Sequence, residues 1–113
     1  MQTPVIDDVF STRLGVDWIE EPLRFYVGNT DTLDDFTGCT LAGGIYNRGT
    51  LVLDMSTGTS RTSITLPSTV NISVPAADIA SVGPGNYIVA LALVTPANGT
   101  QDLVSFTLQV NEP

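Results

Sequence analysis

The longest unbroken apolar run in the chain, Tyr87 to Val94, covers eight residues and is apolar on both sides of a strand. Side chains alternate across a pleated strand, so Tyr87, Val89, Leu91 and Leu93 point one way and Ile88, Ala90, Ala92 and Val94 the other. The run is far shorter than the roughly 20 residues a membrane helix needs, and no membrane span is expected. A strand that is greasy on both faces is central in its sheet, or has its second face covered by another subunit.

Other segments repeat the period of two with one polar face. Val104, Phe106, Leu108 and Val110 alternate with Ser105, Thr107 and Gln109, and Val70, Ile72 and Val74 alternate with Asn71 and Ser73. Leu23, Phe25 and Val27 make a third set, while Leu51 with Leu53 and Ile64 with Leu66 make shorter runs. Thr40 to Tyr46 reads as a strand in which Gly43-Gly44 marks a bulge or a close backbone approach. Fifteen threonines favour strands over helices, because branched side chains pack well on a pleated surface.

The punctuation agrees with short strands. Pro84-Gly85-Asn86 is a turn that opens the two-faced strand, and Asn98-Gly99 is a hairpin turn into the last one. Arg48-Gly49 and Ser56 to Ser60 are further turns. Ala76 to Ser81, after Pro75, is the one helical piece expected, a single turn that tucks Ile79 under a sheet. The pattern predicts an all-β, immunoglobulin-like β-sandwich of about seven strands with at most one short helical turn. The opening stretch fits it poorly: Val5, Ile6, Phe10, Leu14, Val16 and Trp18 share no clean period. Residues 1–14 are therefore read as an N-terminal arm and 15–113 as the sandwich.

Charge excludes several functions. Twelve acids against four Arg, with no Lys and no His, give a net charge of -8. Four scattered cations are too few to displace phosphate counterions, so nucleic acid is not an expected partner. Without His there is no imidazole base and no common zinc site. The single Cys39 makes no intramolecular disulfide, so the fold must hold without one, as suits a reducing cytoplasm. The start, Met-Gln-Thr-Pro, has no positive n-region, and no secretory signal is expected.

Candidate chemistry is thin. Asp34-Asp35-Phe36-Thr37-Gly38 invites comparison with aspartic proteases, but those need Asp directly before Thr-Gly, where this chain has Phe36. A turn held by Asp35 and Thr37 is the better reading. Asp31, Asp34 and Asp35 offer oxygens to a hard cation, yet lack the alternate spacing of a calcium loop and read as a solvated acidic loop. Cys39 has no Lys or His to activate it and reads as a small buried apolar residue. Trp18 belongs to the core or to an interface. No catalytic residue, cofactor or metal is expected.

The ordered series of segments resembles a β-sandwich domain of tailed-bacteriophage structural proteins, similar to the N-terminal domain of upper-baseplate proteins. The series runs through Gly15-Val16-Asp17-Trp18, Asp35-Phe36-Thr37-Gly38, Ile45-Tyr46, Leu51-Val52-Leu53-Asp54, Val70 to Val74, Asp78-Ile79-Ala80, Pro84 to Tyr87, Leu91-Ala92-Leu93 and Asn98-Gly99. It departs at Phe36, where Leu is usual, at Tyr46 in place of Arg, and at Phe106 in place of Gly. The resemblance implies a non-enzymatic virion structural protein, assembled in the host cytoplasm, with other virion proteins and copies of itself as partners. Tail, baseplate or fibre attachment is the placement expected. A capsid decoration protein is the alternative, and a surface or carbohydrate-binding module the alternative from another class. Val5, Phe10, Leu14 and Trp18 are expected as interface anchors on the arm. On that reading, deleting residues 1–14 leaves a folded domain that no longer enters particles.

Overall fold

The computed structural model describes residues 5–26, 32, 34–96 and 99–113. Val27, Asp31 and Asn98 and the side chains of Val5 and Ile6, all invoked above, lie outside the described residues.

The strands are β1 (Val5–Arg13), β2 (Trp18–Ile19), β3 (Leu23–Arg24), β4 (Thr40–Asn47), β5 (Thr50–Asp54), β6 (Thr62–Thr65), β7 (Thr69–Val74), β8 (Gly85–Thr95) and β9 (Gly99–Asn111). An α-helix, α1 (Ala76–Val82), lies between β7 and β8, and a short 3-10 helix covers Thr57–Thr59 between β5 and β6. The larger sheet has the order β1-β9-β8-β4-β5. Its neighbours are antiparallel except β1, which runs parallel to β9. In the smaller sheet β7 pairs with β6 on one edge and with β2 and then β3 on the other. Glu20 N and Phe25 N donate to Ile72 O and Ser68 O, so 18–25 acts as one strand interrupted at Pro22, which has no amide hydrogen to give.

The two sheets face each other over a core to which both contribute. Val70, Ile72 and Val74 come from the smaller sheet, and Leu41, Ile45, Val89, Leu91, Phe106 and Leu108 from the larger. Tyr87 stands at the start of β8, and its hydroxyl lies 3.0 Å from the carbonyl oxygens of both Val82 and Gly83 and 3.2 Å from that of Pro84. A tyrosine corner of this kind, with a first strand parallel to the last and strands that alternate between two sheets, is the immunoglobulin-like arrangement. Two residues beyond that tyrosine, where antibody domains carry a disulfide cysteine, this chain has the fully buried Val89.

Aromatic contacts join the layers where a disulfide does not. Phe10 of β1 stacks on Phe106 of β9 with ring centroids 4.5 Å apart. Trp18 of β2, in the opposite sheet, meets Phe106 edge-on at 6.3 Å.

That cluster corrects the expected arm. Residues 5–13 are an edge strand of the larger sheet, and Leu14 N donates to Asn111 O at 2.9 Å to extend the pairing. Phe10 and Leu14 pack against the chain's own core, and Trp18 is 1% exposed, so these side chains are consumed within the fold instead of anchoring a neighbour. The missing period has a physical cause. The β1–β9 register shifts between Ile6 and Val9, and the chain turns at Gly15, whose φ is +91°, to enter the other sheet. A bulge and a layer change each reset which residues face inward.

The other elements follow their signals. Gly43-Gly44 lies inside a continuous β4, and a Cβ on Gly43 would collide with Ala90 O and one on Gly44 with Leu53 O. The close backbone approach is thus the reason for both glycines. Helix α1 buries Ile79 completely, and Asp17 Oδ1 accepts from Ala76 N at 2.8 Å, so a residue far away in sequence caps the helix. Leu51 and Leu66 are exposed, while Leu53 and Ile64 turn towards the core.

Removing the Phe106 partners tests this account. Trp18→Ala is expected to lower stability by about 3–5 kcal/mol in urea unfolding, a large share of what a domain of this size has. Deleting residues 1–14 is expected to destabilise the sandwich and lower its melting temperature, in contrast to a free arm, whose loss leaves it unchanged.

Candidate interaction face

The outer surface of the larger sheet is the part of the molecule that its own core does not explain. Because Tyr87, Val89, Leu91 and Leu93 face inward, β8 presents Ile88, Ala90, Ala92 and Val94 outward. The pairing places Tyr46 opposite Ile88, Gly44 opposite Ala90 and Ala42 opposite Ala92 on β4. On the other side of β8 stand Thr107 opposite Ile88 and Ser105 opposite Ala90. Leu51 of β5 is level with Tyr46, and Val9 of β1 with Thr107. Ile88 is 48% exposed and Leu51 46%, while the alanines are half-buried in the surface.

The relief of this face follows from the size of its residues. Tyr46 and Ile88 form a ridge between two shallow hollows. One, of about 510 Å³, is floored by Ala42, Ala90 and Ala92 and bounded by Ser105 and Asp102. The other, of about 570 Å³, is lined by Asn47, Arg48, Pro84, Asn86 and Thr107. Neither Gly43 nor Gly44 has room for a side chain, and Gly44 is buried, with Leu51 Cδ1 3.1 Å from where its Cβ would stand. Arg48, at the β4–β5 turn with φ +52°, stands at one end of the face, and Asp102 at the other.

The outward residues of the smaller sheet are mostly polar, with Ile19 exposed opposite Ser73. Ser63, Thr65, Asn71 and Ser73 are polar, and Asn71 Nδ2 donates to Thr65 Oγ1 at 2.9 Å and to Ser63 Oγ at 3.3 Å. The outer face of β8 offers little for water to bond to.

The acidic residues singled out in the sequence serve local structure. Asp35 Oδ1 accepts from Thr37 Oγ1 at 2.6 Å and from Thr37 N at 3.0 Å, the expected turn, and these bonds hold its carboxyl below the usual range. Asp34 Oδ1 accepts from Asp35 N at 2.8 Å. Phe36 between them is a core residue, not part of a cleft. Among the described residues no three acids or cysteines converge in a way that would hold a metal ion. Cys39 is half-buried, with its sulfur 3.8 Å from Thr37 O.

Sequence reasoning missed one ionic contact. Arg61 Nε donates to Asp78 Oδ2 at 2.8 Å, and its Nη1 donates to Asp54 O at 2.7 Å, tying the start of β6 to α1 and to the end of β5. The two side chains are 17 positions apart, and nothing in their local patterns announces the pair.

No family model matches the chain, and no curated protein does. Among solved structures, the V domain of amphioxus IgVJ-C2 is similar at 16% identity and a TM-score of 0.32, covering 89% of this chain and 98% of that one. So loose a likeness carries no argument; the immunoglobulin-like assignment rests on strand order and the tyrosine corner.

The ion pair makes a pH prediction. The hydrogen bond from Arg61 holds the Asp78 carboxyl below its ordinary value. A depressed carboxylate stabilises the fold above its unfolded pKa and loses that contribution as pH falls through the folded one. Asp78→Asn is expected to lower the melting temperature at pH 7, and the difference from wild type is expected to vanish near pH 2, read by calorimetry across that range.

Proposed function

We propose that this protein is a non-enzymatic structural component of a tailed-bacteriophage particle, placed in the tail, baseplate or fibre-attachment region. Its work on this reading is mechanical: a rigid sandwich holds one apolar sheet face ready to dock on neighbouring subunits. The observation that carries the proposal is that outer face, where Ile88, Leu51 and Tyr46 stand around a floor of alanine and glycine. An uncovered apolar surface of this kind is characteristic of a protein–protein contact.

The motif series that carries the phage resemblance falls on structural joints and supports the reading. Gly15 to Trp18 is the crossing between sheets and caps α1 through Asp17. Pro84 to Tyr87 is the tyrosine corner. Residues held for such reasons define a framework, and the neighbours of a framework in a particle are met on its surfaces under repeated symmetry.

Quantitative mass spectrometry of purified virions tests the proposal. The expected result is this chain in a ratio to the major capsid protein that corresponds to a few copies, up to the order of tens, per particle. A stoichiometry on the order of hundreds would move the protein to the capsid surface as a decoration protein. Its absence from virions, together with binding of the isolated protein on a glycan array, would overturn the virion reading.

A further inference from the structure

The hollow of about 570 Å³ at one end of the larger sheet gathers polar side chains from three strands and a turn. Asn47 ends β4, Arg48 stands in the β4–β5 turn, Asn86 lies at the start of β8, and Thr107 comes from β9. None of these four side chains has a hydrogen-bond or ion-pair partner among the described residues. Tyr46 and Ile88 give the hollow an apolar wall. The chain has twelve acids, yet none lines this hollow. Two other hollows do carry them, Asp102 in one and Asp17 with Glu112 in the other. Arg48 therefore supplies a positive charge that no lining acid neutralises.

The turn itself does not account for Arg48. Both of its central residues have positive φ, +52° at Arg48 and +85° at Gly49, the pattern of a type I′ hairpin turn. The first of these positions favours Asn, Asp or Gly, because a longer side chain crowds the backbone there. Among the described non-glycine residues, Arg48 shares a positive φ only with Ser60. An arginine held in a disfavoured conformation, with no partner inside the chain to offset it, points to a contact outside the chain.

We propose that this hollow binds a sugar bearing one carboxylate, a uronic acid, with Arg48 as its anion contact. A single unopposed cation suits a single negative charge, and the planar guanidinium fork matches a carboxylate with two parallel hydrogen bonds. Asn47, Asn86 and Thr107 both donate and accept, as sugar hydroxyls do. The wall of Tyr46 and Ile88 meets the C–H face of a pyranose ring. A smaller acid such as acetate would reach Arg48 but leave the two amides and the wall unused. The inference does not rest on the docking role given above to the apolar face.

An NMR titration of the isotope-labelled full chain tests the site, with D-galacturonate as the probe and D-galactose as its uncharged match. Galacturonate is expected to give saturable amide shifts at Asn47, Arg48 and Asn86, and galactose to bind about tenfold more weakly. Arg48→Asn removes the charge and gives the turn a residue that it favours. This variant is expected to bind galacturonate about tenfold more weakly, to bind galactose as before, and to melt at a higher temperature. Asn86→Ala, at an exposed residue, is expected to weaken both sugars alike. No saturable shift with galacturonate, equal binding of the two sugars, or undiminished binding by Arg48→Asn overturns the proposal. Trigalacturonate bound more tightly than the single sugar marks a polysaccharide as the source, and equal binding a free sugar; both support the site. The content of virions is a separate readout, so the particle role and the sugar site can each fail alone.

Discussion

The contact on which the sandwich most depends is the aromatic cluster of Phe10, Phe106 and Trp18, which joins β1 and β9 of one sheet to β2 of the other. With Cys39 the only cysteine, no disulfide spans the layers, and shape-matched burial has to supply what a cross-link otherwise would. Phe106 stands at the centre because its strand lies second from the edge, within reach of both the parallel first strand and the opposite layer. The opening segment is therefore part of the body of the protein, with Phe10 and Leu14 packed against the core.

On the outer side of the larger sheet the packing leaves a second apolar row along β8. The core takes every second residue of β8, and Ile88, Ala90, Ala92 and Val94, left outside, are apolar as well. Gly43 and Gly44 are required inside the sheet by the close approach of Ala90 O and Leu53 O.

Strands with one clean period were legible in the residues. Val70 to Val74 and Val104 to Val110 lie where their alternation puts them, and the inward and outward sets of β8 match those read from its two-faced run. Ile79 under the sheet and the Asp35 turn were legible for the same reason: local signals act over a few residues. The β1 segment was not, because a register shift and a change of layer erase periodicity. Of the short runs, Leu51 and Leu66 are exposed, because β5 is an edge strand and Leu66 lies just past the end of β6. The Arg61–Asp78 pair and the Asp17 cap join positions remote in sequence, and pattern has no view of such distances.

What the amino-acid order settled alone is the kind of layer: alternating branched residues, closely spaced turns and too little cation or cysteine for several other designs. These are properties of neighbouring residues, and the pleat expresses them directly. Which strand covers which, whether the first nine-residue strand clings or swings free, and which apolar face stays bare were decided only by tertiary structure. They depend on contacts between segments far apart in the chain. Burial is a property of the assembled layers, whereas alternation belongs to each strand by itself.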